Sequence, residues 1–230
     1  MKRMRMIVIV AAAVAMSGFM AGLARAAASA EAGGYISGSF PTGDWGEVAG
    51  FGLGLENSTT VFPDSKKPFG LRSGASIIYN FGRNVDVPSA NLDANTTLHT
   101  ETANTSVWMG IGPALSKRTG DVRPFCYGTI GVNFGWIDSH VKGSVEGASY
   151  DATVGQTSTT FAWTAGVGLS KAVSSIPGGR LELSAEYRSF VDQNYLLPGE
   201  VTSSGSSVSW DRSHHNADQI LVRIGIVTGE

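Results

Sequence analysis

One cysteine in 230 residues, Cys126, rules out a disulfide framework. Charge is equally scarce: Asp, Glu, Lys and Arg make up 16% of the chain and the formal net charge is −2, so no basic face offers itself to nucleic acid. Beyond Leu23 there is no long apolar run, which excludes a helical membrane protein. The four histidines fall in no metal-ligand spacing, and no metal or other cofactor is expected.

What is present begins with a basic start, Lys2, Arg3 and Arg5, followed by an apolar run from Met6 to Met16. Small residues at Ala24-Arg25-Ala26 or Ala28-Ser29-Ala30 complete the pattern of a secretory signal peptide. Residues 1–30 are therefore assigned to the signal peptide and a mature N-terminal tail, with cleavage near 26 or 30, and residues 31–230 to one domain. No cysteine lies near the cleavage zone to carry a lipid anchor. Loss of Lys2, Arg3, Arg5 and Arg25 leaves 13 of the 17 basic residues against 19 acidic ones, a mature charge of −6.

Glycine is abundant, 30 of 230 residues, about twice the usual share. Its pattern is clearest between Val107 and Ile137. Val107, Met109, Ile111, Pro113 and Leu115 alternate with Trp108, Gly110, Gly112, Ala114 and Ser116; after Lys117 to Asp121, Ile130, Val132, Phe134 and Trp136 alternate with Thr129, Gly131, Asn133 and Gly135. Period two marks strands with two unlike faces, and the Gly and Asp between them predict a hairpin. Cys126 falls on the apolar face, where it reads as a small buried hydrophobe.

The same alternation predicts six more strands: Gly33 to Phe40, Val48 to Thr60, Phe69 to Gly82, Thr160 to Ala172, Arg180 to Val191 and Ala217 to Thr228. In the third of the chain's strands only Ile78 breaks it. The links at 62–68, 117–122 and 174–179 are short, whereas 84–100, 139–158 and 193–216 are long and polar, and Pro41 to Glu47 is brief. The expected fold is all-β: an eight-stranded antiparallel up-and-down transmembrane β-barrel, both termini periplasmic, long loops extracellular.

Alternation alone also fits a soluble barrel with an apolar interior. The polar faces decide for a cramped lumen, being mostly Gly, Ser, Thr and Asn with six long exceptions: Glu56, Arg72, Glu182, Glu186, Arg188 and Arg223. Three acids and three bases are predicted to cancel as an interior ion-pair network, because each unpaired buried charge costs several kcal/mol. Eight strands leave room for side chains only, whereas wide channels take roughly sixteen. Tyr79, Phe81, Phe134, Trp136, Phe161 and Trp163, near loop-side strand ends, are expected to form an interfacial girdle.

The segment from Gly110 to Gly135 resembles the small outer-membrane β-barrel domain family, with its G-x-G-P strand, short turn and Arg-Pro-aromatic entry to a Gly-rich strand. Gly110, Gly112, Pro113, Arg123, Pro124, Phe125, Gly128 and Gly131 carry that pattern, supported by Phe40 to Gly46 and Leu181 to Phe190. The resemblance implies an OmpA- or OmpX-like barrel inserted from the periplasm by the assembly machinery, without catalysis. The chain departs from it at the end, where Ile226 to Glu230 carry no terminal aromatic.

The functional expectation is a non-enzymatic barrel, too few in strands for a general porin, that supports the envelope or makes surface contacts through its loops. Its partners are then membrane lipid, lipopolysaccharide and an extracellular partner, and the barrel itself a monomer. The alternative is a narrow-pore or ligand-binding barrel. Asp211, Ser213, His214 and His215 are the residues a lipid A-modifying hydrolase would use, but flexible Ser-Gly-Ser sequence flanks them. The His pair with Asp211 or Asp218, or with His99 and His140 from other loops, is a metal candidate without a second cluster in sequence. Tyr195, Leu196, Leu197 and Trp210 either meet a partner or close the barrel mouth.

Overall fold

The computed structural model describes residues 29–204, 207–211 and 213–229. The assigned signal peptide thus lies outside the described residues, except that the first strand already starts at Ser29.

Eight long strands form the wall: β1 (Ser29–Thr42), β2 (Ala49–Phe62), β3 (Phe69–Gly82), β4 (Thr97–Ser116), β5 (Val122–Val145), β6 (Ala148–Ala172), β7 (Gly179–Tyr195) and β8 (Ser213–Gly229). Each pairs antiparallel with its sequence neighbours. β1 pairs with β8 from Glu31 opposite Gly229 to Thr42 opposite Asp218, and this closes the barrel. Closure removes the free edges of the sheet within the barrel, while β6 continues beyond its pairing with β7, which spans Ala162–Ala172, as one arm of a hairpin with β5 up to Ala148.

The distribution of side chains is inside-out. Ile36, Leu55 and Val167 are more than 60% exposed, while Arg188, Glu186 and Arg223 are 3% or less. Among the described residues every exposed large hydrophobic lies in a wall strand. On β6 the outward apolar residues run from Leu169 to Phe161; eight residues span about 26 Å of strand, or about 20 Å along the axis at a tilt near 40°. Ile78, the break in the third strand's pattern, points inward and is fully buried. Cys126 keeps to the apolar face but is exposed, because that face points out of the barrel and not into a core.

The strands outrun their predicted ends on the loop side. β5 and β6 stay paired up to Val145 opposite Ala148, across a two-residue turn in which Glu146 (φ 50°) and Gly147 (φ 82°) both take positive φ. Such a turn matches the strand twist and pins the register. The expected loop 139–158 is therefore a paired hairpin, and His99 and His140 sit in strands β4 and β5. The brief link at Pro41 holds a short helix, α1 (Gly43–Val48), which buries Trp45 and Val48.

The other two loops fold over the hairpin. A short strand, Asn84–Asp86, adds to β4, and Val201–Ser204 pairs with Ser207–Trp210. Val87, Leu98, Val141, Val145, Leu196 and Val201 form their buried cluster, with Leu92, Tyr150, Val208 and Trp210 packed against it. Asn91 Nδ2 donates to the Gly199 carbonyl at 2.8 Å and ties the two loops together. The long connections are a folded cap with its own core.

Candidate functional site: the barrel interior

Alternation sends Glu56 from β2, Arg72 from β3, Glu182, Glu186 and Arg188 from β7, and Arg223 from β8 to one interior, where all six are buried. Arg188 lies 2.7 Å from Glu186 and 3.1 Å from Glu56, and its Nη1 donates to Ser76 Oγ at 2.6 Å. Arg223 reaches Glu186 at 3.1 Å and Glu56 at 3.4 Å. Arg72 pairs with Glu182 at 3.4 Å. Strands β3 and β7 face each other across the barrel, so the Arg188–Ser76 and Arg72–Glu182 contacts are diametric ties.

Tyrosines complete the set. The Tyr127 hydroxyl donates to Glu186 at 2.5 Å and accepts from Arg223, and Arg72 donates to the Tyr35 hydroxyl at 3.2 Å. Arg72 also lies 4.6 Å from the Tyr127 ring centroid, and Arg188 lies 4.3 Å from that of Trp108. Such cation–π stacking gains weight where water is excluded. Sequence reasoning singles out neither tyrosine, although each shares parity with the polar face of its strand.

The motif glycines explain how Trp108 fits. Gly110 and Gly131 oppose each other across β4 and β5. A Cβ on Gly110 would meet the Trp108 ring, and one on Gly131 the Met109 carbonyl. Pro113 and Pro124 face outward, while Arg123 and Phe125 turn inward near the terminal end.

Apolar on the outside, ion-paired within and closed at every edge, the wall admits one description. This is the fold of an eight-stranded outer-membrane barrel. No family model matches the sequence, and no curated protein matches it either. Solved structures similar to the barrel include Neisserial surface protein A, 13% identical over 87% of this chain and 95% of that one, with a TM-score of 0.38. The attachment invasion locus protein Ail of Yersinia pestis is 14% identical over 88% and 97%, with a TM-score of 0.41. A major outer membrane protein of Thermus thermophilus is 14% identical over 86% and 99%, with a TM-score of 0.48.

Above the ion pairs the barrel changes character. Trp45, Val48, Ala49, Trp108, Ile137, Ala162, Phe190, Tyr195 and Ala217 make an apolar cluster across the mouth. Tyr195 is fully buried in this cluster with Leu197 packed against it, whereas Leu196 and Trp210 belong to the cluster of the cap. Burial above all, then the Asp44 carboxylate, raises the Tyr195 phenol above its ordinary range, so it stays protonated and donates to the Asn216 carbonyl at 3.1 Å. Beside this cluster, Asn133, Gln156 and Gln193 have buried amide atoms with no protein partner among the described residues. Ordered water is the usual partner of such groups.

The loop residues considered for catalysis disperse. His214 pairs with Asp192 at 3.1 Å in an exposed position, His215 pairs with Glu200 at 3.0 Å, and the Ser213 side chain lies outside the described residues. His140 bonds Thr153 at 3.0 Å. Among the described residues no group of three or more His, Cys, Asp or Glu side chains is placed to hold a metal ion. Tyr79, Phe81, Phe161 and Trp163 face outward at the loop side, and Phe134 and Trp136 are half-covered there.

Proposed function

We propose that the protein is a non-enzymatic integral outer-membrane barrel, with its termini in the periplasm and its folded cap outside the cell. One observation carries this reading: outward apolar side chains surround the whole circumference while the buried charges are held inside. A soluble barrel with that surface would expose a patch far beyond the few hundred Å² that soluble monomers tolerate. Membrane lipid and lipopolysaccharide are the partners this surface suits. The interior acids each meet an arginine, and none is left to serve as a base. The ion-paired lumen and the apolar mouth together support a closed barrel, whose work is envelope structure and contact through the cap.

The test is fractionation of cells expressing the full chain, with gel electrophoresis of unboiled and boiled outer-membrane protein. A band in that fraction whose mobility shifts on boiling is the expected result. A soluble periplasmic product without a shift overturns the reading.

A further inference from the structure

At the end of the barrel that holds the termini, the lumen opens into a cavity of about 620 Å³ whose charged lining is Glu31, Arg118, Asp121, Arg123 and Arg180. Deeper inside, acids and bases match one for one: Glu182 with Arg72, and Glu56 and Glu186 with Arg188 and Arg223. The vestibule does not match. Among the described residues three guanidiniums meet one inward carboxylate, Glu31, and counting Asp121 in the exposed turn still leaves a surplus of one positive charge.

The surplus can be placed. Arg118 takes Glu31 at 2.6 Å and lies 3.7 Å from the Phe62 ring centroid. Arg123 reaches the same Glu31 oxygen only at 3.6 Å, and its Nε is buried without a partner. Arg180 is buried and, among the described residues, bonds only uncharged oxygens: Ser170 Oγ at 3.0 Å, the Ser170 carbonyl at 3.0 Å and the Asp121 carbonyl at 2.6 Å. Positive charge withdrawn from water is unfavourable unless an anion joins it, and low-dielectric walls focus its field on whatever enters. The planar guanidinium suits a carboxylate or phosphate group in particular.

We infer that this vestibule binds a small oxyanion, its carboxylate or phosphate group held by Arg123 and Arg180. Ile176, Pro177 and Val227 in the same lining leave room for a short apolar part. The next space inward, between Phe125, Arg72, Arg180 and Glu182, has only about 20 Å³, about enough for one water. The anion therefore stops in the vestibule. This goes beyond the proposed envelope role, and it holds whether or not the lumen conducts.

The test is calorimetric titration of the full chain, folded in zwitterionic detergent, with sodium phosphate and with sodium succinate, against sodium chloride of equal ionic strength. Saturable binding of phosphate or succinate beyond chloride is expected, and the stronger of the two tells a phosphoryl source from a carboxylate one. Arg123→Gln should weaken binding about tenfold, the scale of one charge-assisted contact. Glu31→Gln, which removes the competing carboxylate, should tighten it about fivefold, a gain that misfolding does not produce. Heat-modifiable mobility checks that each variant is folded. Heats equal to those of chloride, or affinities unchanged by both substitutions, overturn the inference.

Discussion

Arg72 shows what the inside of this barrel demands of a residue. Its guanidinium is buried beside Glu182, donates to Tyr35 and lies over the Tyr127 ring. Its removal strands the Glu182 carboxylate away from water, and an uncompensated buried charge costs about 3–5 kcal/mol. Lys142 makes a geometrically similar pair with Glu101 at 3.7 Å, but both side chains are over 40% exposed, and exposed pairs contribute about 0–1 kcal/mol. Arg72→Ala is thus expected to lower the urea midpoint of the detergent-folded barrel clearly, while Lys142→Ala leaves it nearly unchanged. Equal, small shifts would mean that the interior pairs contribute little to stability.

At the scale of the element, the mouth is packed by pieces far apart in sequence. α1 brings Trp45 from one end of the chain against Tyr195 from the other, with ring centroids 4.8 Å apart. Trp45→Ala removes the largest fully buried side chain from that cluster, and neighbouring segments refill such a void only in part. Ion conductance of the variant in planar bilayers should rise above that of the parent; no difference would locate the barrier in the ion-paired layer instead. The strands were legible wherever one face met lipid, because there the alternation is between Val, Leu or Phe and Gly, Ser or Thr. It fades above the girdle. The outward face of β5 turns from Phe134 and Trp136 to Asp138, His140 and Lys142 while Ile137, Val141 and Val145 turn inward, so the apolar face changes sides while pairing continues to a turn, Glu146-Gly147, that lacks the usual Asn. The mouth was illegible for another reason. Trp45 and Tyr195 gain meaning only when closure of the barrel brings them together.

For the whole molecule, the decisive property is the direction of the apolar face, and the lone cysteine reports on it. Cys126 is exposed on the outer wall, opposite Leu115 on β4 and Val167 on β6, both of which also point outward. A water-facing sheet carrying this surface would bind other sheets or aggregate, whereas a bilayer covers it. A nitroxide attached to Cys126 in the vesicle-reconstituted protein should therefore be relaxed strongly by oxygen, which partitions into lipid, and weakly by a water-soluble nickel chelate. A second label placed by His140→Cys in a Cys126→Ser background should show the reverse, since that position lies above the apolar band. Two labels with the same relaxer preference would mean that the band does not follow the membrane, and the inside-out reading would fail for the molecule as a whole.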